Sequence, residues 1–378
     1  MPDILLLSTD DQLNSQIRSI VSEFEHFDLT VLKTRTMGVQ YLNYELPEIN
    51  IINWSDPVLQ VNTIVEEMMN DPWLHFGACI FIYEKSSDAE KIRRVRGLNL
   101  LTYIERDRVG HYLNRVLAIL DKNPNLLNQW NFSTLIKSHL QGSLKIERDA
   151  FDLLTHANLL VNFLANANLI GVLEKDQLFT FLLEKLMNIV EHSHGRGHGT
   201  ILLEFHFNEA ESLFKISTED HSFSWDKTSI QNPHDFISVA LEGGQRSLII
   251  RVQHQKAQGG LVPNIFDNQT REDFKPGETV FNQGEESSHL YFIVTGEYEV
   301  IANGKRISTL GPSDVFLGEM SFLLKNKRTA TVKALTHGTL VKISKQQYIQ
   351  TLKEKPHYAF FLARMLAERL AKIHQTKL

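Results

Sequence analysis

A single cysteine, Cys79, occurs in 378 residues. One thiol excludes an internal disulfide framework and suits a reducing compartment. It lies in Ala78-Cys79-Ile80-Phe81-Ile82, a continuous apolar run that reads as a buried strand, so the thiol is expected to be inert core. No apolar stretch reaches the roughly 18–20 residues of a membrane span. The short apolar run from Ile4 has no basic segment before it, so the N-terminus does not read as a secretory leader. Cations are outnumbered, 39 Lys and Arg against 45 Asp and Glu, and the net charge of −6 argues against general nucleic-acid binding. No low-complexity tract, long repeat or Gly-x-Ser-x-Gly nucleophile elbow is present. These absences point to a cytoplasmic protein with no membrane and no nucleic-acid partner. Its length suggests two or three domains, and 42% hydrophobic with 22% charged residues is an ordinary globular balance.

What is present is concentrated near the C-terminus. Gly318-Glu319-Met320-Ser321 is followed by Arg328-Thr329-Ala330. A glycine lets backbone approach a ligand, and a helix start offers free N–H groups to an anion. A carboxylate accepts from hydroxyls, and an arginine makes paired contacts to phosphate. Short apolar runs broken by Gly277, Gly284, Gly296, Gly304 and Gly311 read as a small β-barrel or roll. After Ile343 the spacing of Tyr348, Leu352, Phe360, Phe361, Met365, Leu366 and Leu370 turns helical. Together these motifs resemble cyclic-nucleotide-binding domains, over residues 262–378. The resemblance implies that Glu319 accepts from the ribose 2′-hydroxyl and that Arg328 pairs with the cyclic phosphate. Backbone N–H groups of Gly318, Glu319, Met320 and Ser321 would complete the cradle. Thr329 would face phosphate or a guanine amine, with Ala330 beside it, and Arg364 or Arg369 of the last helix would act as a lid over the base. Leu317 stands where the family usually has phenylalanine. The implied ligand is cAMP, with cGMP or a cyclic dinucleotide as alternatives. The bland alternative for Arg328 is a surface salt bridge.

Residues 1–122 alternate short apolar runs (Ile4 to Leu7, Leu29 to Leu32, Ile49 to Ile52, Cys79 to Tyr83, Leu98 to Tyr103) with helically spaced ones. That alternation favours a doubly wound parallel sheet. Order and length resemble a response-regulator receiver domain, but Asn53 stands where the phospho-accepting aspartate belongs, and Asp10 or Asp56 matches only after a shift of register. The expectation is a pseudo-receiver used for contacts. The basic run Lys91 to Arg96 is either a docking patch or a solvated helix face.

Residues 130–256 show two apolar helical patterns and two alternating strands, Thr200 to Phe207 and Ser212 to Ser217. Glu184 and Asn188 stand one turn apart on one helix face. The order resembles the histidine-kinase-type ATPase domain, especially anti-sigma serine kinases, which implies a base at Glu184 and a Mg²⁺ ligand at Asn188. Asp220 lies where the family reads adenine, but Thr218 to Ser222 lacks the family's glycines, and Gly243 to Arg251 only partly matches its lid. A degenerate module with ATP and Mg²⁺ unlikely is expected. His192, His194 and His198 form either a metal-binding triad or a polar loop, and the loop is favoured.

The expected architecture is a multidomain α/β and α+β chain: a doubly wound parallel sheet, a middle ATPase-like α/β sandwich, and a C-terminal β-roll with flanking helices. The expected function is a bacterial, non-catalytic cyclic-nucleotide sensor. It acts through an unknown signalling protein partner, with a homodimer allowed. Because the sequence stops at Leu378, no DNA-binding helix-turn-helix is expected after the roll. Two alternatives stay open: a cyclic-nucleotide-regulated anti-sigma-type serine kinase, and a scaffold that binds no nucleotide.

Overall fold

The computed structural model describes residues 3–71, 74–75, 77–95, 98–127, 140–147, 149–166, 169–192, 200–208, 210–220, 223–232, 234–254, 266 and 268–375. They fall into two compact units. One comprises residues 1–38, 47–69 and 76–257, the other residues 39–46, 70–75 and 258–378.

The chain begins with β1 (Asp3–Leu7), α1 (Asp11–Val21), β2 (Asp28–Leu32), α2 (Arg35–Tyr44), β3 (Ile49–Asn53), α3 (Val61–Asn70), β4 (Ala78–Tyr83), α4 (Ser86–Arg93), β5 (Leu100–Glu105) and α5 (Val109–Lys122). The strands form one parallel sheet in the order β2-β1-β3-β4-β5. Side chains of β1, β3 and β4 are mostly apolar and almost wholly buried, as strands covered on both faces must be, with Asn50 and Asn53 the buried polar residues of β3. Asp10 starts α1 by accepting from the Leu13 amide at 2.9 Å, and Leu13, Ile17, Ile20 and Val21 then meet the core at helical spacing.

Next come β6 (Leu140–Ile146), α6 (Ala150–Asn166), α7 (Val172–His192), β7 (Ile201–Phe207), β8 (Glu211–Thr218), β9 (Ile237–Glu242) and β10 (Ser247–Gln253). The sheet is antiparallel, in the order β6-β7-β8-β10-β9. Within Gly243 to Arg251, which matches the lid only in part, Gly243 and Gly244 lie in a turn with positive φ and Ser247 to Arg251 is ladder-bonded strand in β10, where Leu248, Ile250 and Val252 are buried apolar residues at strand spacing. Within the first unit, the parallel-sheet segment and residues 140–253, separable in sequence, share one hydrophobic core. α6 covers the outer edge of β5: Asn158 and Asn162 donate to the Leu101 and Leu100 carbonyls at 3.0 and 3.2 Å. Arg115 of α5 binds the carboxylates of Glu147, Asp149 and Asp152 at the start of α6.

In the second unit, β11 (Thr270–Phe274), β12 (Thr279–Phe281), β13 (His289–Ile293), β14 (Tyr298–Ala302), β15 (Lys305–Leu310) and β16 (Phe316–Leu317) lead into the short helix α8 (Glu319–Leu324). β17 (Thr331–Ala334), β18 (Gly338–Ser344), α9 (Lys345–Glu354) and α10 (His357–Gln375) follow. The strands make two antiparallel sheets, β11-β18-β13-β16 and β12-β17-β14-β15, as the expected roll requires. Ser344 and Gln347 cap α9 reciprocally. α9 stops at Lys355 (φ −132°, ψ 79°), whose successor is Pro356, and α10 begins one residue later.

Among the described residues no helix is long and apolar enough to cross a membrane.

Candidate functional site: the cassette around Arg328

Gly318 turns β16 into α8 with φ +75°. That left-handed conformation suits glycine, and a Cβ here would also collide with the Arg328 guanidinium. As N-cap, Gly318 has no side chain to bond the first-turn amides of α8, so an anion can take that role.

Arg328 comes back to this turn through a backbone clasp. Its amide donates to the Glu285 carbonyl at 2.8 Å, and its carbonyl accepts from the Gly284 amide at 2.8 Å. The residue is only 4% exposed, so it is no surface salt bridge. It donates to the Gly318 carbonyl (3.0 Å), the Ser321 hydroxyl (3.1 Å) and the His289 carbonyl (2.6 Å). It lies over the Phe281 ring at 4.1 Å and nearer the edge of reach of Tyr291 at 5.9 Å. Burial pulls its pKa below the ordinary arginine value, opposed by the acidic groups of Tyr291, Glu285 and Glu319. A buried guanidinium whose hydrogen bonds go to uncharged acceptors gains from any anion brought beside it.

Glu319 is buried in the first turn of α8, within electrostatic reach of Arg328. Ser321 is buried and also donates to Ser287 (3.1 Å), which pins α8 to the loop before β13. Thr329 is exposed, while Ala330 is buried beside Arg328 in sequence. Met320, with Leu323 and Leu324, presents an apolar face to solvent. Arg364 does not lie free: it donates to the Glu45 carbonyl at 2.7 Å. The side chain of Arg369 lies outside the described residues. Phe281, Ser287, His289 and Tyr291 have no motif of their own. Phe281, His289 and Tyr291 reach Arg328, and Ser287 reaches Ser321, only because the roll folds separate turns onto one place.

The other candidates are engaged differently. Asn53 is buried and donates to the Ser8 hydroxyl at 3.3 Å. Asp56 accepts from the Thr9 amide and hydroxyl with one oxygen and from the Val58 and Leu59 amides with the other. Asp10 caps α1 and pairs with Arg106 at 3.0 Å. Glu184 is exposed and bonded to its neighbour Lys185 at 3.0 Å, whose ammonium is buried 4.7 Å from the Phe181 ring. Asn188 is half-buried one turn on, and Asp220 is exposed in the turn after β8. His194, His198 and the side chain of His192 lie outside the described residues, as do Arg96, His221 and Ser222.

With this geometry in place, comparison with known proteins is informative. Residues 271–355 match the cyclic nucleotide-binding domain family, and this stretch of the chain is such a domain. The cGMP-dependent protein kinase of Plasmodium berghei is 37% identical over 81 residues, covering 21% of this chain and 9% of the kinase. The Pycsar effector protein BcPycTIR of Burkholderia cepacia is 30% identical over 138 residues, 35% of this chain and 45% of the effector. The CRP-like cAMP-activated global transcriptional regulator of Mycobacterium tuberculosis is 30% identical over 122 residues, 30% of this chain and 54% of the regulator. The chain thus spans about half or less of these relatives' length.

Proposed function

We propose that the protein is a cyclic-mononucleotide sensor, with cAMP the favoured ligand and cGMP the alternative. Its output is a change in protein–protein contacts rather than catalysis. The observation that carries this reading is the buried Arg328 guanidinium, preset beside uncapped α8 amides in a matched cyclic nucleotide-binding domain. The phosphate would sit against Arg328 and the α8 amides, and Glu319 would take the ribose hydroxyl. The last helix would then move over the base, bringing Arg364 with it. The residues before the roll are read as a pseudo-receiver and a degenerate ATPase-like module kept for partner contacts. Two observations support that: Asp10 and Asp56 spend their carboxylates on local structure, and Glu184 is bonded to Lys185. A homodimer and a signalling protein partner belong to the same proposal.

A thermal-shift panel of cAMP, cGMP, cyclic di-GMP and ATP on wild type and Arg328→Ala tests it. A cyclic mononucleotide at 100 times its Kd is expected to add about 2.7 kcal/mol to wild type and nothing to the variant. No shift in wild type rejects the sensor. A Mg²⁺-dependent ATP shift lost in Asn188→Ala instead supports the kinase alternative.

A further inference from the structure

Phe281, Val332, Val300 and Ser308 are direct cross-strand neighbours in the sheet β12-β17-β14-β15, so their side chains share one face. Phe281 and Val332 belong to the buried core of the roll, Val300 packs against it, and Ser308 is exposed at the far end. One-residue bulges at Val280 and Ile307 bound this row on its two sides, and bulges re-aim neighbouring side chains. At roughly 4.8 Å per strand the row is about 14 Å long, comparable with a nucleotide that makes a contact at each end. Its first residue, Phe281, lies under the Arg328 guanidinium.

β15 is the edge strand of this sheet and pairs with β14 alone among the described residues. The tip of the β14–β15 hairpin is nevertheless tied back across the sheet. The Gln283 side chain donates to Asn303 Oδ1 at 3.0 Å, and the Asn303 backbone amide donates to Gln283 Oε1 at 3.0 Å. The Gln283 backbone amide donates to the Thr331 hydroxyl at 2.9 Å. The next residue is Gly284, whose amide holds the Arg328 carbonyl. Asn303 and Gly304 have φ of +51° and +75°, the two-residue hairpin turn that fixes register. Gln283 and Asn303 are both exposed.

We propose that Gln283 is a positioning residue for the cyclic nucleotide: through Asn303 it holds the wall made by Val300 and Ser308 at a fixed reach from Arg328. This rests on the sensor reading of the cassette. A ligand whose phosphate meets Arg328 lays its base along the row, over Val332 and Val300, with its edge at the Ser308 hydroxyl. Gln283 touches both ends of that span, the phosphate end through Gly284 and the base end through Asn303. Hydrogen bonds between exposed amides add little net stability, because water replaces them when they are lost. The hairpin has no outer strand to set its tilt, so the same two bonds decide how far Ser308 stands from Arg328. A site that grips a ligand at two ends needs those ends held within about 0.5 Å of the fitting geometry.

The test uses the full chain. Gln283→Met keeps the length of the side chain and removes both bonds. Asn303→Gly removes the side-chain acceptor and keeps the positive φ. Asn303→Asp keeps an acceptor for Gln283 and the backbone donor, so the tie survives. Affinity for cAMP and cGMP is measured by titration calorimetry, and the melting temperature without ligand by scanning calorimetry. Gln283→Met and Asn303→Gly are each expected to weaken binding about fivefold at the wild-type melting temperature. The double variant is expected to bind no more weakly than Gln283→Met, since the two changes break the same tie. Asn303→Asp is expected to bind within about twofold of wild type. Wild-type affinity in both Gln283→Met and Asn303→Gly overturns the positioning role alone. So do losses that add in the double variant, a loss in Asn303→Asp as large as in Asn303→Gly, or losses that track a fall in melting temperature. If wild type binds neither nucleotide, the sensor reading falls and the positioning role falls with it.

Discussion

The guanidinium carbon of Arg328 lies over Phe281, 4.1 Å from the ring centre, while the same cation donates to backbone and hydroxyl oxygens. The ring supports one face of the ion and the acceptors fix its rotation, so the arginine is aimed before any ligand arrives. Phe281→Leu removes the support but keeps an apolar side chain. A desolvated cation–π contact is worth about 1–2 kcal/mol, so calorimetric affinity for cyclic nucleotide is expected to fall roughly tenfold. Phe281→Trp is expected to restore it.

Gly318→Ala meets two obstacles at once, a left-handed φ and the Arg328 guanidinium in the space of the new methyl. Strain and displacement together are expected to cost about 1–3 kcal/mol of stability in thermal melts. Nucleotide binding is expected to fall further than stability does, because the arginine itself is pushed aside.

Asp56 accepts four hydrogen bonds and ties the turn after β1 to the turn after β3. Asp56→Ala leaves those donors without their carboxylate and is expected to destabilise the protein by about 2–4 kcal/mol in melting experiments. Beryllofluoride with Mg²⁺, a phosphoryl mimic, is expected to leave the wild-type melting temperature unchanged. A stabilising shift would show that a phosphate-accepting site survives.

Acid is expected to weaken the fold beginning just below neutrality. Burial depresses His75 to about 3, with the neighbouring His357 and Lys355 adding to the effect. His357 is depressed to about 4 by burial and Lys355, and His156 of α6 to about 4 chiefly by burial. Each of these histidines is neutral in the fold and takes up a proton more readily when unfolded. Their contribution is therefore complete above pH 6.5 and is lost as pH falls from there through about 4 for His357 and His156 and about 3 for His75. Asp71 has the opposite sign: burial raises its pKa, so protonation favours the folded state and offsets part of the loss. Scanning calorimetry from pH 7 to 4 is expected to show a falling melting temperature, shallower in His357→Gln and steeper in Asp71→Asn.

The strands of the parallel sheet were legible because each is a short apolar run bounded by polar turns, and the cassette because its glycine, carboxylate and arginine keep a fixed spacing. Gly296 and Gly304 adopt the positive φ that turn glycines suggest, whereas Gly311 is extended (φ −140°, ψ −171°). The less legible features depend on contacts rather than patterns. α2 mixes apolar and polar residues without a clear stripe, and its segment 39–46 belongs with residues far ahead in the chain. The supporting ring of Phe281 looks like any other strand aromatic until Arg328 arrives 47 positions later. Asp71 and Tyr358 are a lone acid and a lone tyrosine in sequence, and only folding makes them a pair. The shared core of α5, β5 and α6 is invisible for the same reason: its seam is sealed by Arg115 and two asparagines.

The break at Lys355 has a mechanical consequence. Pro356 keeps the residue before it out of the α-helical region, so α9 and α10 cannot fuse into one rod when conditions change. Motion of α10 is then a swing about a fixed pivot rather than a lengthening. Its 19 residues make an arm of about 28 Å at 1.5 Å per residue. A tilt of about 10° at Pro356 would carry the far end of that arm about 5 Å, so a displacement of about 0.5 Å beside Tyr358 becomes a side-chain-sized step at the tip.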